Sequence, residues 1–179
     1  MNKQQVLRSG LMSLVFLAGP ILNGCANLQP QDLSFETISQ GVGFPTGRSY
    51  DGKEPNFLVI TEPREVDDPG LGVQFTSELV EQLRGVDYRR SFAIVVFRGL
   101  LSALNREYTV DIFQITRLGD KVVLKVHLGV PRPGSITSPA YSSPYRAIVV
   151  SKEGEWAREI SFVLEVDGQA VIERTYFVP

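Results

Sequence analysis

Residues 108–128, YTVDIFQITRLGDKVVLKVHL, carry the most regular hydrophobic pattern in the chain. Val122, Leu124, Val126 and Leu128 recur at every second position, while Lys125 and His127 point the other way, as in a strand buried on one face. Before the turn, Tyr108, Val110 and Ile112 share one face and Thr109 and Asp111 the other. The phase then changes, because Phe113 and Ile115 are both apolar. Such a change predicts a β-bulge or a strand entering a core on both sides. Leu118-Gly119-Asp120 joins the two halves as a turn, so the stretch predicts a β-hairpin.

The same logic extends in both directions. Asp167-Gly168 separates two apolar runs, Glu159 to Val166 and Gln169 to Val178, and an Asp-Gly pair in that setting predicts a two-residue hairpin turn. Ile160, Phe162, Leu164 and Val166 form its inward face. Phe92 to Phe97 is apolar on both faces, which predicts a central strand covered on both sides. Further strands are predicted over Leu33 to Gln40, Asn56 to Thr61 and Tyr145 to Val150. A single helix is predicted from Ser77 to Arg84, with Thr76 or Ser77 as cap and Gly85 as stop. Its one apolar stripe, Leu79, Val80 and Leu83, suits a helix lying on a sheet. The fold class is therefore mainly β, an antiparallel β-sandwich or partly open barrel with one packed helix.

The N-terminus follows a different grammar. Lys3 and Arg8 precede an apolar run from Leu11 to Ile21, too short to span a bilayer, which needs roughly 20 apolar residues. Leu22, Asn23, Gly24 and Cys25 close it, and Cys25 is the only cysteine of the chain. This is the layout of a lipoprotein signal peptide over residues 1–24, with lipidation expected on Cys25. Each buried methylene of an acyl chain adds about 0.8 kcal/mol of membrane affinity, so two or three chains hold firmly. Residues 25–32 then form an anchor and spacer, and residues 33–179 a single domain. The expected location is the cell envelope, exported and lipid-anchored to a membrane surface.

Composition narrows the function classes. The chain has 18 basic and 20 acidic residues, a formal net charge of −2. Losing Lys3 and Arg8 with the leader would take it to −4. A mildly acidic domain lacks the basic face that nucleic-acid binding needs, so no nucleic acid is expected. His127 is the lone histidine and shares an outward face with Lys125. No Ser or Tyr has a base partner at a recognisable spacing. Glu153 and Glu155 flank a Gly154 turn without the marks of a carboxylate pair for glycoside hydrolysis. The glycine-rich residues 41–47 lack the Lys-Ser/Thr pair and following helix of a phosphate loop. Asp67 and Asp68 lack the repeated oxygen-ligand spacing of a calcium loop. No catalytic set, metal or cofactor is expected. Arg84, Arg89, Arg90, Arg98 and Arg106 read as a solvated rim, with a docking patch for an acidic partner as the minority alternative.

Several short pieces in one order carry a resemblance. They are Ser34-Phe35-Glu36-Thr37-Ile38, Phe57–Ile60, and Val86-Asp87-Tyr88 leading into Phe92–Gly99. Tyr108-Thr109-Val110-Asp111-Ile112, Val122–Val126 and Ser143-Pro144-Tyr145 after a proline-bearing loop complete the set. Across residues 35–152 the chain resembles the C-terminal domain of the PrcB family, named for a subunit of a surface protease complex. The family's Thr-Gly-Gly-Tyr-like turn is absent; Leu104-Asn105-Arg106-Glu107 stands there and only Tyr108 remains. A similar turn marks chagasin-type inhibitors of cysteine proteases, and its absence argues against an inhibitor. The resemblance implies a non-catalytic accessory module that binds a protein partner, a protease among the candidates. The expected contact surface is Asn105, Arg106, Glu107 and Tyr108 with the loop holding Pro133 and Tyr141, since Pro131 to Pro144 is too rich in proline for a continuous ladder. Two other readings stand beside it. A small-ligand carrier or enzyme would show a deep pocket with converging carboxylates. A structural envelope protein would be abundant and lack a stoichiometric partner.

Overall fold

The computed structural model describes residues 29–43 and 50–179. Leu22, Asn23, Gly24 and Cys25, where the lipoprotein signal was expected to end, lie outside the described residues, as do positions 44–47 of the glycine-rich stretch. Among the described residues, nine strands and one α-helix follow in order: β1 Gln31–Asp32, β2 Phe35–Gly43, β3 Asn56–Ile60, α1 Ser77–Arg84, β4 Ser91–Phe97, β5 Val110–Leu118, β6 Lys121–Leu128, β7 Ser143–Ser151, β8 Arg158–Val166 and β9 Gln169–Val178. They form a five-stranded sheet, β1-β5-β6-β8-β9, and a four-stranded sheet, β2-β7-β4-β3. The two pack face to face, so the architecture is a β-sandwich and not a closed barrel.

Alternation along each strand builds two apolar layers. Phe57, Val59, Phe92, Ile94, Val96, Ile148 and Val150 of the smaller sheet meet Ile112, Ile115, Val122, Leu124, Val126, Ile160, Phe162 and Leu164 of the larger one. The opposite face of the smaller sheet, with Leu58, Ile60, Ala93, Val95, Phe97 and Ala147, packs against Leu79 and Leu83 of α1. β4 is thus buried along Phe92–Phe97, as its unbroken apolar run requires. Helix α1 starts where Thr76 Oγ1 accepts the Leu79 amide at 3.3 Å, the expected N-cap. A file of rings, Trp156, Phe92, Phe162, Tyr176 and Phe57, runs through the interior with centroids 5.1–6.2 Å apart.

The bulge anticipated at Phe113 is present. The β5–β6 register shifts between Ile112 and Gln114, which leaves Phe113 exposed and lets Ile112 and Ile115 both face the core. Asp167 and Gly168 have φ of 49° and 83°, the positive pair of a type I′ hairpin turn.

Four features depart from the sequence expectation. Gln31 and Asp32, assigned to a spacer, pair with Arg117 and Thr116 of β5. The first long strand runs on through Gly41 to Gly43 rather than ending at Gln40, paired with Tyr145, Pro144 and Ser143. Pro63–Val66 forms a 3-10 turn. Finally, β6 and β8 are parallel, Lys121–Val126 against Ser161–Val166, whereas the other ladders are antiparallel. The cause is connectivity. The chain leaves β6, crosses to the other sheet as β7, and returns beside β6 as β8.

Arg117 ties the turns at one end. Its guanidinium donates to the carbonyls of Gly119 (2.9 Å), Glu153 (3.5 Å) and Glu155 (2.5 Å) and stacks 4.0 Å over the Trp156 ring. Only 7% of the residue is exposed, and burial lowers its pKa, yet three carbonyls and an aromatic face compensate the charge. Arg117→Ala is expected to destabilise the fold by about 3 kcal/mol through stranded carbonyls. Arg117→Lys should lose roughly half as much, since an ammonium cannot span the three acceptors. Urea unfolding monitored by Trp156 fluorescence checks both; unchanged midpoints would refute the clamp.

Candidate functional site

The loops named from the sequence meet at the end of the sandwich opposite Arg117. Segment 98–109 leaves β4 and segment 129–142 leaves β6, and the two run antiparallel against each other. Leu101 and Ser142 exchange both backbone hydrogen bonds, at 2.8 and 2.9 Å, and Leu104 and Ser138 do the same at 2.9 and 3.1 Å. Side chains fill the gaps that proline leaves. Asn105 Nδ2 donates to the Ile136 carbonyl at 2.9 Å, and Ser142 Oγ donates to the Ala103 carbonyl at 2.7 Å. Glu107 Oε2 accepts the Arg132 amide at 2.8 Å and the Ser135 hydroxyl at 2.9 Å. The proline-rich stretch is therefore a pinned crossover rather than a loose one. Its tip is a turn closed by the Ser135 amide on the Arg132 carbonyl, with Pro133 second and Gly134 third at φ 88°, the residue pattern of a type II turn.

Asn105 and Glu107 thus work inward, fastening one loop to the other. The Asn105 side chain also accepts the Glu107 amide at 2.7 Å, an Asx turn. Arg106 is exposed, with no ion pair or side-chain hydrogen bond among the described residues. Tyr108 is half-buried beneath Arg98, whose Cζ sits 5.2 Å from the ring centroid. Pro133 is exposed at the turn. Tyr141 is 60% exposed and lies on the same crossover as Val130 (68%) and Ile136 (92%).

Two arginines behave differently from a solvated rim. Arg98 is half-buried and donates to the carbonyls of Gly129 (2.7 Å) and Thr109 (3.4 Å), and burial holds its pKa below the ordinary arginine range. It locks the roots of both loops together. Gly129 is needed there because a Cβ would come within 2.3 Å of Thr109 Oγ1. Arg146, on β7, has a side chain 19% exposed. Its Nη2 donates to Gln40 Oε1 at 2.8 Å and Asp111 Oδ1 at 3.0 Å, while its Nε is buried without a partner among the described residues. Arg106 and Arg146 face a cleft of about 390 Å³ between the ends of β2 and β7 and the start of β5, with Tyr108, Thr109 and Tyr145 in its walls.

Sequence reasoning missed Gln40, Val42 and Arg146, because each lies inside a regular strand. The available signal was one charged residue interrupting the apolar run from Tyr145 to Val150. His127 is exposed, and its Nδ1 lies 2.7 Å from Oδ1 of Asp167 in the β8–β9 turn. Among the described residues no three His, Cys, Asp or Glu side chains are grouped to hold a metal.

The hydrogen bonds from the Arg132 amide and the Ser135 hydroxyl lower the Glu107 pKa. A carboxylate with a depressed folded-state pKa contributes stability above its unfolded value and loses it as pH falls through the folded one. The Arg132 amide proton resonance should titrate with a midpoint below the ordinary glutamate range and should stop doing so in Glu107→Gln. A midpoint at or above that range would refute the loop-to-loop tie.

Neither a family model, nor a curated protein, nor a solved structure matches this chain.

Proposed function

We propose that the protein is a membrane-anchored lipoprotein that acts by binding a protein partner rather than by catalysis. Acyl chains on Cys25 hold it at the cell envelope, and the 98–109 and 129–142 end of the sandwich makes the contact. The observation that carries this reading is the exposure of Val130, Ile136 and Tyr141 on a crossover that is itself fastened by backbone and side-chain bonds. Apolar side chains offered on a pinned loop lose little conformational entropy when covered, and water around them is released on contact. Tyrosine and arginine at such a site are the residue types that dominate binding energy at protein interfaces. The resemblance to the PrcB C-terminal domain supports an accessory role toward a protease. The leader pattern ending at Cys25 supports the location.

Affinity capture of the full chain from envelope extract in mild detergent, followed by mass spectrometry, is expected to recover one stoichiometric partner. Ile136→Asp and Tyr141→Ala should each weaken that complex about tenfold or more, roughly 1.4 kcal/mol. Because both side chains are exposed, urea midpoints should stay where they are. Retention of full affinity in both variants, or no partner at all, would overturn the assignment. Intact-mass analysis of protein from its native host tests the anchor separately, and an unmodified Cys25 thiol would refute it.

A further inference from the structure

We infer that the cleft beside Arg106 and Arg146 receives a carboxylate from an acidic segment of the protein partner, an inference that rests on the protein-binding reading above. The chain as a whole is acidic, with a formal charge of −2, yet the described residues lining this cleft include Arg106 and Arg146 and no carboxylate. Asp167 lies toward Arg98 at the same end, and the carboxylates beside the two cleft arginines are Asp111 and Glu107. Both of those carboxylates are already engaged, Glu107 by Arg132 and Ser135 and Asp111 by Thr109 Oγ1 at 2.8 Å and Arg146.

The two cleft arginines have donors to spare. Arg106 carries an uncompensated charge at the rim among the described residues. Arg146 is held in place through Nη2, which leaves its other terminal nitrogen, Nη1, without a bond among the described residues. A guanidinium has five N–H donors in a fixed fork, and a carboxylate is the planar acceptor that matches it. The volume, about 390 Å³, suits one or two side chains and not a folded surface. Tyr108 and Tyr145 supply aromatic walls for the aliphatic part of an acidic residue. The exposed apolar residues of the crossover, Ile136 among them, border the same end, so an acidic segment interspersed with apolar residues complements it.

The test is an NMR titration of the purified full chain with a capped tetraglutamate peptide, its tetraglutamine counterpart, and phosphatidylglycerol vesicles. Tetraglutamate should move the Arg146 Nε–H resonance and the Arg106 and Tyr108 amides, and tetraglutamine should leave them in place. Arg106→Gln should weaken the response at least fivefold. Arg89→Gln, which removes an exposed arginine before the opposite end of β4, should leave it unchanged. Equal loss in both variants would reduce the effect to bulk charge and overturn the proposal. A response to vesicles alone would overturn it in favour of lipid phosphate. If partner capture survives Arg106→Gln undiminished, the cleft assignment falls while the binding role stands. If capture fails yet tetraglutamate binds as described, the cleft stands and the binding role loses its partner.

Discussion

Hiding both faces of β4 at once constrains the whole arrangement. A strand that is apolar on alternate and intervening positions alike must have an apolar layer above and another below. At roughly 25 cal/mol per Å² of apolar surface removed from water, leaving either face wet would forfeit several kcal/mol. The larger sheet supplies one cover, through Ile112, Leu124 and Phe162 among others. Helix α1 and the turn before it supply the second, through Leu79, Leu83 and Val66. That requirement explains why a mainly β chain keeps one helix, and why the helix sits on the smaller sheet. It also explains the division of labour at the ends. With β4 fixed, its flanking segments can lead only to the two rims of the sandwich, where Arg117 fastens one rim and the paired loops occupy the other.

Polar groups do at the rims what apolar groups do inside. Arg98, Arg117 and Arg174 each carry a charge into partly enclosed surroundings and discharge it on backbone carbonyls rather than on carboxylates. Arg174 reaches the Phe57 carbonyl at 3.4 Å, and Asn56 Oδ1 accepts the Phe57 amide at 2.8 Å. Together they occupy the outward hydrogen-bonding groups of that residue on edge strand β3, which discourages sheet-to-sheet association there. These arginines are structural rivets. Arg106 and Arg146 differ because donors remain unused after the local bonds are counted.

Periodicity exposed most of the fold in the sequence. The β5–β6 and β8–β9 hairpins, the two-sided β4 and the single capped helix all follow from spacing within a few residues. What stayed hidden was pairing over distance. Nothing local in Lys121–Val126 or Ser161–Val166 indicates that they lie parallel, because alternation fixes which face a residue takes but not which strand stands beside it. Gln31 and Asp32 are too few to register as a strand. At the candidate site, Asn105, Arg106, Glu107 and Tyr108 drew notice because they sit in an irregular stretch, although Asn105 and Glu107 fasten one loop to the other. Arg146 and Gln40 did not, since only tertiary folding brings β2, β5 and β7 to one point. Arg98 was misread for a similar reason: in sequence it ends an apolar strand, and its carbonyl acceptors lie 11 and 31 residues away.

The interleaving of the two sheets has a consequence for how the chain can assemble. β2 bonds only to β7, and β8 reaches β6 only after β7 has been laid in the other layer. A chain synthesised from its N-terminus onward therefore carries β2 without a neighbour until Ser151 has emerged. β4 meanwhile can pair early with β3 but waits for β7 on its other side. Such non-local closure belongs to slowly folding topologies, in which ring-closing entropy must be met before any reward arrives. Late completion of both layers is thus built into the connectivity, whatever the local preference of each strand.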